Sequence, residues 1–285
     1  LVSEARQKCA NHIFKLGGNV YAFDSTTIDL CLSVFWWAKF RKKKGGIKVH
    51  TLYDVETQIP AFFHITEASV NDSKVMIEIP YESSSYYIFD RGYNNFKMLY
   101  KIHQIEAYFV VRAKKNFGYK SIQWKRRLPK NVLSDASVLL TGFYPKQYYP
   151  EPLRLVKYWD EEQEREFIFI TNAMHISALQ VAELYKNRWQ VELFFKWLKQ
   201  HLKIKRFWGT TENAVRIQIY AAICAYCLVA IIQHDMQLDR STYEVLQILS
   251  ISLTDKTHLK DLFNKTKFQN DKERFGPNGP SLFNF

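Results

Sequence analysis

Tyr86-Tyr87-Ile88-Phe89-Asp90-Arg91-Gly92-Tyr93 reads as four strand-forming residues that run straight into a carboxylate and a turn. The same design stands upstream, where Val20-Tyr21-Ala22-Phe23 leads into Asp24-Ser25-Thr26. Between them the pattern gives a basic loop at residues 39–44, then Gly45-Gly46. Two strand-like runs follow, residues 47–53 and 59–66, joined by a polar turn. A short helix is expected from Asn71-Asp72-Ser73 to about Pro80, with Asn71 or Asp72 as its N-cap. Downstream come a helix over residues 94–103 and a strand over 107–112. Three leading strands followed by alternating helix and strand specify a mixed α/β sheet flanked by helices.

In this reading Asp24 closes the first strand and Asp90 the fourth. If those strands are neighbours, both carboxylates leave the sheet at one edge, where ligands of such sheets gather. Two close carboxylates repel unless a cation joins them, and Mg²⁺ is held by one or two carboxylates together with phosphate oxygens. Either Asp alone is ordinary turn chemistry.

The third element is a helix expected from Ser177 to about Gln200. At 3.6 residues per turn, Tyr185, Arg188, Glu192, Lys196 and Lys199 fall on one narrow stripe. Leu184, Val191, Phe194, Phe195 and Leu198 form the neighbouring apolar stripe, which should bury against the sheet, and Trp189 lies beside the polar one. Glu192 thus stands at the rim of the core with a cation one turn to either side. Taken alone, the stripe also fits a solvated face laced with (i, i+4) ion pairs.

The rest of the chain narrows the choices. Residues 1–16 read as a helix stopped by Gly17-Gly18. Residues 116–175, broken by Pro129, Pro145, Pro150 and Pro152, read as β-rich, with a hairpin formed by residues 153–159 and 166–171. Helices are expected at 212–236 and 241–252, ahead of a polar, loosely ordered tail from Asp255. Lys plus Arg number 40 against 28 acidic residues, a net charge of +12 in 285 residues, which draws the protein toward polyanions. The four cysteines show no zinc spacing with histidine. Cys224 and Cys227 fall in an apolar run, residues 219–232, that reads as a core helix too short to span a bilayer, with both thiols buried. A reducing, intracellular setting follows. No Walker, HExxH or nucleophile-elbow motif is present.

Tyr185-x₂-Arg188-x₃-Glu192-x₆-Lys199 resembles, at every position, the signature of the insertion-sequence DDE transposases marked by Tyr, Arg, Glu and Lys. Asp90-Arg91-Gly92-Tyr93 is similar to the family's second carboxylate before a Gly-aromatic pair, and Asp24-Ser25-Thr26 to its first. The resemblance spans residues 20–236. It implies a ribonuclease H-like sheet with a β-rich insertion before the last catalytic helix, and a DNA transposase that cuts by way of a hairpin and joins the ends to target. It further implies that Asp24, Asp90 and Glu192 bind two Mg²⁺ or Mn²⁺ ions, and that Tyr185, Arg188 and Lys199 hold the DNA backbone, with Lys196 and Trp189 beside them by position. The implied domains are residues 1–115 and 176–236 as catalytic core, 116–175 as insertion and 237–285 as a C-terminal helical segment. An upstream end-recognition domain belongs to the family. The implied partners are double-stranded DNA and a second copy of the chain in the synaptic complex, in a bacterial cytoplasm at the nucleoid, with no membrane. A family Trp in the insertion stacks on a flipped base; Trp124 and Trp159 both stand there. A nuclease of the same fold, or a DNA-binding relative without catalysis, are the competing functions.

Overall fold

A computed structural model describes residues 1–10, 14–41, 44–114, 117–201, 207–238, 240, 242–252 and 256–265. Its centre is a ten-stranded mixed sheet. The strands are β1 (Val20–Leu30), β2 (Lys39–Arg41), β3 (Lys44–Asp54), β4 (Ile59–Glu67), β5 (Tyr86–Phe89), β6 (Tyr108–Arg112), β7 (Tyr119–Trp124), β8 (Val132–Leu140), β9 (Leu153–Asp160) and β10 (Arg165–Thr171). Their order is β2-β3-β1-β5-β6-β10-β9-β8-β7, with β4 also paired to β3. Strands β1, β5 and β6 run parallel, while β3 is antiparallel to β1 and β4 to β3.

Side-chain alternation explains why the sheet needs cover on both faces. Val20 and Ala22 of β1, Tyr86 and Ile88 of β5 and Val110 of β6 enter one core, shared with α1 (Val2–Lys8), α5 (Ala178–Lys186), α6 (Trp189–His201) and α7 (Glu212–Asp235). Tyr21, Phe23, Tyr87, Phe89, Phe109 and Val111 enter the opposite core, with α2 (Asp72–Val75) and α3 (Phe96–Gln104). A 3₁₀ turn continues α2 over Met76–Glu78. Asn71 caps α2 and Asn95 caps α3 through their side-chain oxygens.

The basic loop expected at residues 39–44 contains strand β2, because Lys39 and Arg41 pair with the start of β3. Residues 42 and 43 lie outside the described set. The opening helix is shorter than its pattern suggests, ending at Lys8; residues 11–13 lie outside the described residues. Phe14 donates its backbone N–H to the Glu56 carboxylate beyond β3. Residues 117–171 do not fold apart from the sheet. β8, β9 and β10 extend it through β10, which pairs antiparallel with β6, and a short helix α4 (Phe143–Tyr148) lies between β8 and β9.

The helix at residues 212–235 is 24 residues long, long and apolar enough by length and composition alone to cross a membrane, contrary to the expected short run. One side of it, from Val215 through Ile219, Ile223 and Cys227, is buried in the core; Cys224, expected to be buried, is exposed because it falls on the opposite side. The chain divides into two compact units, Leu1–Ile231 and Ile232–Phe285. In the second, α8 (Thr242–Ser252) is joined by α9 (Leu259–Lys265), a helix within the segment expected to be loosely ordered; residues 266–285 lie outside the described set.

Candidate active site

Asp24 is not at the end of its strand. It is the fifth of eleven residues in β1, because β1 continues to pair with β3 beyond it, Asp24 itself facing Thr51. What ends there is the parallel ladder: Phe23 pairs with Phe89, and the next residue on each strand is Asp24 and Asp90. The two carboxylates therefore leave adjacent parallel strands at one level, the strand neighbourhood on which the sequence reading was conditional.

The helix that completes the site is two helices. α5 ends at Lys186 and α6 starts at Trp189. Asn187 donates both its backbone N–H and its side-chain amide to the Glu183 carbonyl, the local competition that makes Asn a poor interior residue. The next bonds tighten to three-residue spacing, Arg188 to Tyr185, Gln190 to Asn187 and Val191 to Arg188. Arg188 stands at the joint. Val191, Phe194, Phe195 and Leu198 are buried as expected, each worth about 1.5–3 kcal/mol of burial, and they fix which side of α6 faces the sheet.

Tyr185 departs from the expected polar stripe. Its ring is in the core against Phe167 and Phe169, and its hydroxyl donates to Asp90 Oδ1 at 2.8 Å. Arg188 divides its guanidinium between two carboxylates, Nη1 to Asp24 Oδ2 and Nη2 to Glu192 Oε1, both at 2.6 Å. Its buried Nε has no hydrogen-bond partner among the described residues. Glu192 is exposed, Lys196 is exposed and Lys199 half-buried on α6, and Trp189 is 49% exposed at its first turn. Trp124 on β7 and Trp159 on β9 are both exposed.

The electrostatics follow from this packing. Burial pushes the Asp24 carboxyl up to about 6; Arg188 and the Ser25 N–H oppose the rise, while Glu192 and Asp90 add to it. At Asp90 burial again acts upward, but the Arg91 N–H, the Tyr185 hydroxyl, Arg188 and Arg112 outweigh it and leave the carboxyl below its usual range. Burial, then Asp90, push Tyr185 up to about 12 against Arg188. Burial, then the negative charges of Asp24 and Asp72, hold the Tyr93 hydroxyl well above its ordinary value.

The structure thus brings together the three carboxylates, Tyr185 and Arg188 that the sequence singled out, with groups around them that it did not. Arg112 closes β6 level with Asp90, which follows β5, and that matching position was the signal available. Ser25, Tyr93 and Asp72 carry no such mark. Among the described residues no three His, Cys, Asp or Glu side chains form a ready metal cage in this arrangement. Arg188 instead supplies the positive charge between Asp24 and Glu192.

The family described as Transposase DDE domain matches residues 15–228. A Sinorhizobium fredii protein named as a transposase is 37% identical over 80% of this chain and 64% of its own length. A Geobacillus stearothermophilus protein named as a transposase for insertion sequence element IS5377 is 30% identical, over 72% of this chain and 54% of its own. A Synechocystis protein named for element IS4SA is 24% identical over 83% and 67%. The chain thus spans just over half to two thirds of these relatives. The piggyBac transposase, solved as a synaptic complex with hairpin DNA, superposes with a TM-score of 0.50 at 13% identity, over 89% of this chain and 55% of that one, a likeness of fold.

Proposed function

Because the chain belongs to the transposase DDE domain family of insertion sequence elements, we propose that it is the catalytic part of a cut-and-paste DNA transposase. It cleaves DNA at the element's ends by way of a hairpin and joins them to target DNA. One observation carries this reading: the bonds that draw Asp24, Asp90 and Glu192 together with Arg188 and Tyr185 at one end of the sheet. The order β4-β3-β1-β5-β6, with β1, β5 and β6 parallel, supports a ribonuclease H-like core over residues 1–115 and 176–236. Residues 116–175 are then the β-rich insertion and 237–285 a C-terminal segment.

The donor set suits Mg²⁺ or Mn²⁺, hard ions that take carboxylate oxygens. The Arg188 bonds that bridge Asp24 and Glu192, and the raised Asp24 carboxyl, support a site that takes positive charge. Asp24, Asp90 and Glu192 would hold two such ions, which when bound activate water or a DNA 3′-hydroxyl and neutralise the leaving oxygen. Asp24 and Glu192, which now share the guanidinium, would supply oxygens to that charge. Arg188 has planar donors suited to a phosphate, with Lys196 and Lys199 further along α6. Tyr185 holds Asp90 in place by the bond it already makes, and Trp189 lies open for DNA beside them. The partners are double-stranded DNA at the element's ends and target, and a second copy of the chain in a synaptic dimer, in the bacterial cytoplasm at the nucleoid.

The test is strand cleavage of labelled duplex carrying the element's terminal repeat, with Mg²⁺ or Mn²⁺, using the full natural protein and its Asp90→Asn variant. Metal-dependent cleavage abolished by Asp90→Asn, with a hairpin product, is the expected result. Equal cleavage by both proteins would overturn the triad. Cleavage without joining would leave a nuclease of the same fold, and binding without cleavage a DNA-binding relative.

A further inference from the structure

We propose that Asp72 is a positioning residue for the Asp24 carboxylate, acting through Ser25 from the opposite face of the sheet. The inference rests on the metal-binding reading of Asp24 above. Tyr21 and Phe23 of β1 point into the core beneath α2 and α3, and Ser25 follows the same alternation. Its hydroxyl donates to Asp72 Oδ1 at 2.8 Å, while its backbone N–H donates to Asp24 Oδ1 at 2.8 Å. One residue therefore connects the carboxylate on the site face to an acceptor on the other face.

Asp72 is itself held. Lys48 Nζ lies 3.1 Å from Asp72 Oδ1 and donates to the Val70 carbonyl at 2.8 Å, so it bridges the acidic group to the loop that carries it. The fully buried His50 sits opposite Ser25 in the β1–β3 register, its Nδ1 3.8 Å from the same Asp72 oxygen. Its Nε2 lies 2.9 Å from the Thr66 hydroxyl. That hydroxyl already donates to the Glu67 carbonyl, so Nε2–H is the donor to Thr66. Nδ1 is then a lone pair, and Asp72 draws its donors from Ser25 and Lys48. Beyond Asp24, β1 has lost the parallel support of β5, whose ladder ends at Phe89. The Asp72 link grips the strand at that point. Mg²⁺ tolerates little departure from octahedral geometry, so freedom in the Asp24 backbone translates into weaker ion binding.

The experiment is calorimetric Mn²⁺ binding to the full chain, with Mn²⁺ dependence of cleavage and thermal melting in parallel. Removing an outer hydrogen-bond partner of a metal ligand typically costs about 10–100-fold in metal affinity. Ser25→Ala and Asp72→Ala should each weaken Mn²⁺ binding within that range. Combined, they should weaken it no further than either alone, because both break one link. Asp72→Asn keeps an acceptor oxygen for the Ser25 hydroxyl and should restore most of the affinity. If Asp72→Ala does not fold, Ser25→Ala and Asp72→Asn decide the question. Wild-type affinity in Ser25→Ala, an additive double variant, or no rescue by Asp72→Asn overturns the proposal. Asp90→Asn distinguishes the two levels. If it abolishes Mn²⁺ binding while Ser25→Ala and Asp72→Ala bind as wild type, only the positioning role fails; if it binds as wild type, the metal-site reading fails and takes this proposal with it.

Discussion

Arg188 Nη1 donates a 2.6 Å hydrogen bond to Asp24 Oδ2 across 164 positions of sequence. That bond joins the start of α6 to the first strand of the sheet, and the same guanidinium reaches Glu192 one turn further on. The charge that separates these carboxylates in this arrangement is thus supplied by one side chain at the tightened turn between α5 and α6. On the function proposed above, the same guanidinium would also grip a phosphate.

Arg188→Ala is expected to lower binding to terminal-repeat DNA by about tenfold or more, the scale of one lost hydrogen bond to a charged group. Glu192→Gln should lower it less, since on the proposed function it removes a metal ligand and not a phosphate contact. A gel-shift series in the reverse order would undo these roles. Arg188→Lys should not restore binding, because an ammonium cannot serve two acceptors with a planar fork.

Tyr185→Phe keeps the ring on Phe167 and Phe169 and removes only the donor to Asp90. Stability should fall by about 1 kcal/mol, while metal-dependent cleavage falls more. Tyr185→Ala opens a cavity and should cost about 3–5 kcal/mol in denaturant unfolding. Equal unfolding midpoints for the two variants would show that the ring is not packed as described.

Arg154 and Asp135 form a buried bidentate pair at 2.7 and 2.8 Å, and Arg154 also donates to the carbonyls of Ala173 and Ile176 just ahead of α5. Burial pushes Asp135 up, but bonds from Arg154 and Lys125 outweigh it and leave its carboxyl below the usual range. Its contribution is therefore complete above the unfolded carboxylate value and is lost as pH falls through the lower folded value. Asp135→Ala strands the guanidinium and should cost about 3–5 kcal/mol at neutral pH. Unfolding followed against pH should show the gap between wild type and variant closing in acid.

Burial holds His50 near 4, below its usual 6.5, with Asp72 opposing the shift and Lys48 and His64 adding to it. The folded state keeps the ring neutral where the unfolded chain protonates it. Stability relative to His50→Gln should be constant above about pH 6.5 and decline between that value and about 4. Asp24, raised to about 6, acts in the opposite sense over part of this window, so the difference between the proteins is the quantity to read. A difference that does not change with pH would mean that the ring is solvated.

Much of the site could be read before any fold was known. The short runs of strand-forming residues at 20–23 and 86–89 indicate two strands with carboxylates after them, and the spacing from Tyr185 to Lys199 indicates a helical stripe, because both depend on local geometry. Tyr185 was placed on the solvent side because spacing cannot say which of two adjacent stripes contains a phenol that needs both burial and a hydrogen bond. The break at Asn187 was hidden because its side-chain competition is weak beside the periodicity on either side. Asp72 looked like a helix cap, and only the tertiary packing of α2 against the sheet brings it to Ser25.

The amino-acid sequence by itself determined which residues form strands and helices, which faces are apolar, and which side chains carry the charges. Those follow from backbone sterics and from the hydrophobic period, and act within a few residues. The tertiary structure alone decided that Asp24 and Asp90 lie at one level, that Arg188 spans Asp24 and Glu192, and that β8 to β10 extend the central sheet. Those relations depend on which strands pair and in what register, and hydrogen bonds form only within about 3 Å. Chain distance carries no information about them until the sheet has closed.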